Sequence, residues 1–281
     1  MMRPMDQFTE VLGLKTRYWK LGAEGSPLIL IHGISCSVLE WEHVIDELST
    51  RHKVYALDMV GHGLTDKPED HPYDLKSFGT FVLAFMDVMK LTSATLIGNS
   101  LGGRVALECA DLAPERISAL VLSAPAAVDK STLLEFRLAS IPFLGEIATA
   151  PNTFGIRKIW RGAFADPSFV TPGLVAEKVS LAKMPGAGKA FLKALRNMLS
   201  FGGFKAPILH ETHVQLRKLR APTLVIWGKM DRFLPVSHLS TLMGLVPHAV
   251  TVVLDQCGHV PMIEMPREFN RIVFEFLADR L

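Results

Sequence analysis

The chain has 281 residues, of which 49% are hydrophobic and 21% charged, so a disordered protein is excluded and one large α/β domain is affordable. The formal net charge of +2 gives no case for nucleic-acid binding, and three cysteines are too few for a disulfide framework. The sequence shows neither a signal-peptide pattern nor a stretch of about 18 apolar residues, which predicts a cytoplasmic protein without stable membrane insertion.

The first part of the chain predicts alternating strands and helices. Residues 8–21 indicate a hairpin around Gly13. The continuous apolar runs at 28–31 and 53–58 are typical of parallel strands buried on both faces. Helices are predicted at 41–48, 75–89 and 101–112, and further strands at 94–97 and 117–122.

This alternation stops between residues 125 and 218, where no run resembles a strand. Helical segments are predicted there near 131–141, 155–164, 173–183 and 189–199. Alternation resumes with strands at 223–227 and 249–254 and helices at 236–245 and 266–281. The sequence therefore predicts an α/β fold with a mostly parallel, doubly wound sheet. Residues 1–124 and 219–281 would form its core, and 125–218 an inserted helical lid over the carboxyl edge of the sheet.

The most informative motif is Gly98-Asn99-Ser100-Leu101-Gly102, which lies between a predicted buried strand and a predicted helix. This order is the context of a nucleophile elbow, in which a tight turn projects a serine hydroxyl from the sheet. Gly98 and Gly102 lack the Cβ atoms that would collide with neighbouring backbone in such a turn. The helix that begins after Ser100 also offers unpaired N–H groups to a developing negative charge.

A serine nucleophile needs a base and an orienting carboxylate, and the sequence supplies both after later strands. Asp231 lies in the loop after the strand at 223–227, and His259 follows the next predicted strand. Parallel strands bring their carboxyl ends to one sheet edge, so we expect Ser100, Asp231 and His259 to meet there. Asp255 is the alternative acid, and we expect it at a strand end facing solvent.

Together these motifs resemble the α/β-hydrolase superfamily, and within it the serine esterases and lipase-like proteins with a helical cap. The likeness extends over nearly the whole chain and includes His32-Gly33, the Gly61-His62-Gly63 loop, the elbow and the loops of Asp231 and His259. The resemblance implies Ser100 as nucleophile, His259 as base and Asp231 as orienting acid. It also implies a reaction that uses no metal ion or organic cofactor.

The resemblance further implies an oxyanion hole formed by the backbone N–H groups of Ile34 and Leu101. We interpret His32 as a structural residue that holds this loop. Cys36 and Cys257 lie near the expected site, and small buried thiols are the simpler interpretation of both.

The substrate class is less well defined by the sequence. A serine at the elbow argues against relatives with a carboxylate nucleophile, namely haloalkane dehalogenases and epoxide hydrolases. Asn99-Ser100 and the tail motif 268–271 are similar to hydrolases that cut carbon–carbon bonds in ring-fission products. Those relatives usually have a Gly-rich oxyanion loop and an aromatic residue after the catalytic histidine, whereas this chain has Ile34-Ser35-Cys36 and Val260. These departures predict a carboxylic ester as the small-molecule substrate.

Two alternatives stay open beside the carboxylesterase or lipase-like hypothesis. One is a carbon–carbon bond hydrolase of the ring-fission type, and the other is a receptor-like member that binds a ligand without turnover. The sequence makes no prediction of the oligomeric state.

The predicted lid is strongly basic. Residues 125–218 contain thirteen Lys or Arg and six Asp or Glu, a net charge of +7. A solvated basic face explains this charge most simply, and an acidic substrate or an anionic membrane surface would also explain it. Candidates for lining the substrate pocket are Ser35, Phe143, Met198, Phe201 and Val260.

Overall fold

A central eight-stranded sheet organises the fold in the computed structural model, which describes residues 3–278. The strands of this part of the chain are β1 (Gln7–Val11), β2 (Leu14–Leu21), β3 (Pro27–Ile31), β4 (Lys53–Leu57), β5 (Ala94–Asn99), β6 (Ile117–Ser123), β7 (Leu199–Ser200), β8 (Gly203–Phe204), β9 (Thr223–Gly228) and β10 (Val250–Leu254). The large sheet has the order β1-β2-β4-β3-β5-β6-β9-β10. Its β1–β2 and β2–β4 pairings are antiparallel and the others are parallel, which confirms the predicted fold class.

The order of the strands reverses beside β3, and this reversal positions the site. The chain passes from β3 outward to β4 on one side, then returns to place β5 on the other side of β3. The loops that follow β3 and β5 consequently diverge at the carboxyl edge and leave a crevice between them, where open α/β sheets bind ligands. Both strands are almost completely buried, as their continuous apolar sequences predict.

Helices cover the sheet and make up most of the segment predicted as lid, which we call the cap. Across residues 3–278 they are α1 (Ile45–Leu48), α2 (Leu75–Val88), α3 (Leu101–Leu112), α4 (Leu134–Ala139), α5 (Leu144–Ala148), α6 (Thr153–Ala163), α7 (Pro172–Ala182), α8 (Ala187–Met198), α9 (Ala206–Lys218), α10 (His238–Leu245), α11 (Pro261–Glu264) and α12 (Pro266–Ala278). Helix α3 packs between α2 and α9, while α12 packs against α1. No helix in this part of the chain is long and apolar enough to cross a membrane.

The cap segment departs from the all-helical expectation at one place. Strands β7 and β8 form a short antiparallel hairpin in which Leu199 pairs with Phe204 and Ser200 with Gly203. Gly203 has a φ of +104°, and a Cβ there would lie 2.2 Å from the carbonyl oxygen of Lys130. A glycine is therefore required for the chain to turn so close to the start of the cap.

Helix α9, which lies inside the segment predicted as lid, packs on the core instead. The buried Arg104 of α3 donates through Nε to Thr212 Oγ1 of α9 at 3.0 Å and through Nη1 to Glu108 Oε2 at 3.1 Å. Gln215 also donates to Glu108, at 3.0 Å. We therefore propose that the cap ends before α9 and that α9 belongs with the hydrolase core.

Other boundaries differ by a few residues from the expectation. The hairpin around Gly13 is confirmed by β1 and β2. The helix expected at 41–48 is instead a 3₁₀ turn at Val38–Trp41 followed by the four-residue α1. The final helix reaches Ala278, and the expected remainder at 279–281 lies outside the described residues.

Candidate active site

Ser100 forms a strained turn between β5 and α3. Its φ of 56° and ψ of −116° are unusual for a residue with a side chain. Its N–H donates to the Ser123 carbonyl at 2.9 Å, and its carbonyl accepts the N–H groups of Arg104 and Ala126. A backbone in such a region costs roughly 1–3 kcal/mol and persists only where the surroundings fix it. These three backbone hydrogen bonds hold the turn that projects the Ser100 side chain.

The two elbow glycines are required by close backbone approach. A Cβ on Gly98 would lie 2.3 Å from the carbonyl carbon of Gly102. A Cβ on Gly102 would lie 2.0 Å from the carbonyl oxygen of Ile31 at the end of β3. Since real Cβ atoms do not approach backbone atoms this closely, only glycine lets α3 begin directly beside the ends of β3 and β5.

His259 and Asp231 meet at the same sheet edge. Nδ1 of His259 lies 2.7 Å from Oδ2 of Asp231, and both side chains are buried. The other oxygen, Asp231 Oδ1, accepts the N–H groups of Phe233 at 2.8 Å and Leu234 at 2.9 Å. Burial acts to lower the pKa of His259, but the adjacent Asp231 carboxylate, with smaller contributions from Glu40 and Glu264, outweighs this effect, so the pKa is raised above its usual value. The pair has the geometry of a base held by an orienting acid.

The His259 loop is tied to the sheet and to the end of α6. Asn99 Nδ2 donates to the His259 carbonyl at 3.0 Å, and the His259 N–H donates to the Ala163 carbonyl at 2.6 Å. The Glu264 carboxylate accepts the N–H of Gly258 at 2.8 Å and that of Ala165 at 2.7 Å. One carboxylate therefore connects the histidine loop to the chain that leaves the cap helix.

Asp255, the alternative acid, lies on the surface as expected. Its side chain is 78% exposed, and its Oδ1 lies 2.7 Å from Lys229 Nζ. This pairing directs the carboxylate toward solvent and Lys229, whereas Asp231 directs its carboxylate to the ring of His259.

The loop after β3 is held from both sides. His32 bonds through Nδ1 to the Gly33 carbonyl at 2.7 Å, while its Nε2 accepts the Met59 N–H at 3.1 Å. These partners fix the tautomer, and burial lowers the pKa of His32 to about 3, so the ring is neutral and structural. Ile34 follows this anchored peptide, and Leu101, the first residue of α3, has no acceptor for its N–H within the helix. Their N–H groups are our candidates for the oxyanion hole.

Glu40 is a site residue that the sequence analysis missed. Its Oε2 accepts the Gly33 N–H at 2.8 Å, and its side chain lies in the wall of the cavity that contains Ser100 and His259. The second oxygen, Oε1, is buried and has no hydrogen-bond partner among residues 3–278. Burial raises the pKa of this carboxyl above its usual value. The only signal in the sequence is one acid inside the otherwise apolar run 38–41.

Two adjoining cavities lie between the sheet edge and the cap. The smaller contains Ser100 and His259 and is also lined by Gly33, Ile34, Ser35, Cys36, Glu40, Asn99, Phe136, Ile159, Trp160, Ala163, Phe233 and Val260. The larger cavity extends beneath α6, α7 and α8. It shares five lining residues with the smaller one, namely Ser35, Cys36, Phe136, Ile159 and Trp160. The volume of the larger cavity, including the open space at its mouth, is about 920 Å³, and its lining is mostly apolar.

The five candidates for the pocket lining lie in different places. Ser35 lines both cavities, and Val260 lines the smaller one. Phe143 and Phe201 are 85% and 51% exposed, so these two lie on the outside of the cap. Met198 is buried at the end of α8 but lines neither cavity. The sequence identified apolar cap residues but carried no information on which of them face inward.

Lys178 is a second residue that the sequence analysis missed. It is only 5% exposed on α7, lines the larger cavity and places its Nζ 4.4 Å from the centre of the Trp160 ring. Within residues 3–278 it has no carboxylate within 4 Å. A buried ammonium without an anionic partner favours a negatively charged ligand at this wall.

The cysteines add no second reactive group to the described site. Cys36, Cys109 and Cys257 are free and buried, and burial raises the pKa of each thiol. Groups of three or more His, Cys, Asp and Glu with metal-binding geometry are absent from residues 3–278.

The chain is similar to several known proteins over nearly its full length. It is 31% identical to a 2-hydroxy-6-oxo-2,4-heptadienoate hydrolase of Pseudomonas putida, covering 95% of this chain and 94% of that protein. It is 30% identical to the dihydrolipoyllysine-residue acetyltransferase component of an acetoin cleaving system from the same species, covering 98% and 70% of the two chains. A solved meta-cleavage product hydrolase from Pseudomonas fluorescens superposes with a TM-score of 0.82 at 28% identity, covering 97% of each chain.

A family model supports the same fold family that is indicated by the elbow, the sheet order and the reversal beside β3. The model described as alpha/beta hydrolase fold matches residues 26–266, from the start of β3 to the last helix. The chain therefore belongs to the α/β-hydrolase fold family.

Proposed function

We propose that this hydrolase cleaves a carbon–carbon bond next to a ketone in an acidic ring-fission product. The near-full-length similarity to proteins named as hydrolases of such compounds supports this choice. It reverses the order expected from the sequence, in which an ester was the first hypothesis. The ester hypothesis rested on two differences from carbon–carbon bond hydrolases, one in the oxyanion loop and one at Val260.

The observation in the molecule that carries the proposal is Lys178. A ring-fission product of this class is a carboxylic acid, whereas a simple ester is neutral. Lys178 supplies a buried positive charge on the wall of the cavity that adjoins Ser100. The carboxyl of Glu40 interacts electrostatically with Lys178, but burial outweighs this effect and raises the pKa of the carboxyl above its usual value. A substrate carboxylate would then compensate the Lys178 charge.

The proposed cycle uses the triad and the two backbone donors. Ser100 Oγ attacks the ketone carbon while His259 takes the hydroxyl proton and Asp231 stabilises the resulting imidazolium. The N–H groups of Ile34 and Leu101 hold the tetrahedral oxyanion, where one well-aimed donor contributes roughly 3 kcal/mol.

Collapse of this intermediate breaks the carbon–carbon bond. This step requires the 2-oxo tautomer of the substrate, in which the proton of the 2-hydroxyl group has moved to C5, the carbon bonded to the ketone carbon. The bonding electron pair then passes from C5 through the C3–C4 double bond to the 2-oxo oxygen, and the resulting dienolate takes its proton from the His259 imidazolium. Water then loses a proton to His259 and attacks the acyl carbon, which releases the carboxylic acid and restores Ser100.

A carboxylic ester is the second candidate substrate. The loop Ile34-Ser35-Cys36 lacks the glycines that the sequence analysis associates with carbon–carbon bond hydrolases, and Val260 follows His259 instead of an aromatic residue. The same acyl-enzyme cycle would serve an ester, with an alcohol as leaving group in place of the enolate.

The decisive test compares substrates on the wild-type enzyme. We expect kcat/KM for 2-hydroxy-6-oxohepta-2,4-dienoate to exceed that for p-nitrophenyl acetate, butyrate and hexanoate by a wide margin. A wide margin for the esters would contradict the proposal. Ligand-induced thermal stabilisation with no multiple turnover of any substrate would favour the receptor-like alternative.

Lys178 variants make this test specific to the proposed charge recognition. Lys178→Gln should raise KM for the dienoate about 10- to 100-fold, because a hydrogen bond to a charged group contributes about 1.5–3 kcal/mol. The same change should leave KM for the neutral esters nearly unchanged. Lys178→Arg, which keeps the charge, should restore part of the dienoate affinity. A loss of equal size for dienoate and esters would remove Lys178 from the proposal.

A further inference from the structure

We propose that the outer face of α6 docks the cap on an anionic phospholipid surface and places the mouth of the larger cavity at the bilayer. This inference concerns the outside of the cap and is independent of the bond cleaved at Ser100. It rests on the amphipathic character of α6, on exposed apolar side chains beside the mouth, and on a cationic groove next to them.

Helix α6 separates the cavity from the outside, and its two faces differ sharply. Ile156, Ile159 and Trp160 line the larger cavity. The opposite face carries the 80% exposed Phe154, followed by the cations Arg157, Lys158 and Arg161. The helix contains no acidic residue. An aromatic residue followed by cations on one helix face is the composition of helices that lie in a membrane interface.

Large exposed apolar side chains lie on both sides, in sequence, of a segment that lines the cavity. Phe143 is 85% exposed and Ile147 is 74% exposed, one turn apart at α5, while Phe154 is the second residue of α6. The exposed residues Ala148, Ala150 and Asn152 of the segment between them line the cavity. A membrane that buried these three large side chains would therefore cover the entrance, and a substrate could pass from the lipid into the cavity without crossing water.

A groove between α6 and α7 lies directly beside Phe154. It is lined by the side chains of Thr153, Arg157, Val175, Val179, Ser180 and Lys183, together with Pro172 and Ala176. Both charged members are cations, and the buried Nε of Arg157 has no hydrogen-bond partner in the described part of the chain. Two cations with two hydroxyl groups form a site that fits a phosphate group, because guanidinium and hydroxyl groups donate to phosphate oxygens.

The acidic residues of the cap do not neutralise this face. Glu146 pairs with Arg196 and Glu177 with Arg3, and Glu135 engages only Lys158 at 3.5 Å. Arg157, Arg161 and Lys183 pair with no carboxylate of residues 3–278. The face thus combines uncompensated positive charge with protruding apolar groups. An anionic lipid surface matches both features at once.

The test is co-sedimentation of the full chain with vesicles. We expect binding to vesicles of phosphatidylglycerol and phosphatidylcholine that weakens as salt rises, and little binding to pure phosphatidylcholine vesicles. Arg157→Gln with Lys183→Gln should weaken binding about 20- to 30-fold, because each cation near such a surface contributes a factor of about five. Phe154→Ser with Ile147→Ser should weaken it about tenfold or more.

Variants on the core test whether binding depends on this face of the cap or only on the total charge and exposed apolar surface of the protein. Lys229→Gln with Arg271→Gln removes the same number of exposed cations, and Met5→Ser removes an exposed apolar side chain far along the chain from the cap. Both should bind like the wild type. Melting temperature and turnover of a soluble substrate without vesicles, measured for every variant, should match the wild type, which shows that the fold and the site of Ser100 are intact.

Three results would overturn the proposal. The first is equal binding to anionic and neutral vesicles, and the second is an equal loss of binding in the core variants. The third is a wild-type dimer in sedimentation velocity that Phe154→Ser dissociates, since that result would assign the face to a second copy of the chain.

Discussion

The Asp231 carboxylate is the main group that raises the pKa of the candidate base. Because Asp231 raises the pKa of His259 against the effect of burial, activity should rise with pH through an apparent pKa above the usual value of about 6.5. Asp231→Asn removes the charge and leaves burial, so the inflection should move below that of the wild type. In the same variant kcat should fall about 10³- to 10⁴-fold, because no carboxylate then holds the ring in the correct tautomer or stabilises the imidazolium.

The pH–rate profile of kcat/KM measures both effects of Asp231. Asp255→Asn is the matched control, because it removes a carboxylate that only meets Lys229 at the surface. A profile of Asp231→Asn that keeps the wild-type inflection would show that another group controls the base.

Glu40 should matter as a hydrogen-bond acceptor. Glu40→Ala leaves the buried Gly33 N–H without a partner, which costs about 1–3 kcal/mol and frees the peptide before Ile34, so kcat should fall about tenfold or more. Glu40→Gln keeps an acceptor, and since burial already disfavours the charged carboxyl, kcat should stay within about threefold of the wild type. Steady-state kinetics with Glu42→Gln as a surface control tests this. Equal losses for both Glu40 variants would mean that the negative charge itself is needed.

Residues with a local signature could be predicted from the sequence, and residues whose environment forms only on folding could not. The elbow around Ser100 is encoded by adjacent glycines, and Asp231 and His259 follow predictable strand ends. Glu40 and Lys178 are single charged residues in segments where the spacing of apolar residues indicates only that the segment is buried or amphipathic. Their positions at the cavity depend on how distant segments pack, which no short window of sequence contains.

At the scale of elements, the start of α3 sets how closely it can pack against β3. Ala normally stabilises a helix relative to Gly by about 1 kcal/mol. At Gly102 the added Cβ would lie 2.0 Å from the Ile31 carbonyl oxygen, so Gly102→Ala should instead lower the free energy of unfolding by about 1–3 kcal/mol. Gly188→Ala in α8, where the added Cβ meets nothing within 4 Å, should stabilise. Urea unfolding compares the two, and destabilisation by both would indicate a general intolerance of helix changes.

The elements that escaped prediction are the short ones. Strands β7 and β8 have two residues each, too few for an alternating pattern to be visible. The expected helix at 41–48 has good apolar spacing, yet Val38–Trp41 adopts a 3₁₀ turn whose Glu40 holds the Gly33 peptide. Helix α9 was not among the predicted helices, and its attachment to the core through Arg104 depends on the packing of distant segments.

At the scale of the whole molecule, charge and apolar surface are unevenly distributed. The segment 125–218 carries a net charge of +7, which leaves the remainder of the chain acidic overall. Composition alone predicted this asymmetry but left its purpose open. The structure places one of these cations, Lys178, at the larger cavity and a group of others on α6 and in the groove beside α7, while the rest lie on other parts of the segment.

The Glu264 carboxylate and the Ala163 carbonyl give the cap helix one anchored end. Both connect the carboxyl end of α6 to the loop of His259. The opposite end of α6, at Thr153, lies beside the exposed segment 148–152. Three residues of the same helix, Ile156, Ile159 and Trp160, line the larger cavity. Helix α6 therefore joins the wall of this cavity directly to the loop of the candidate base, so the position of one depends on the position of the other.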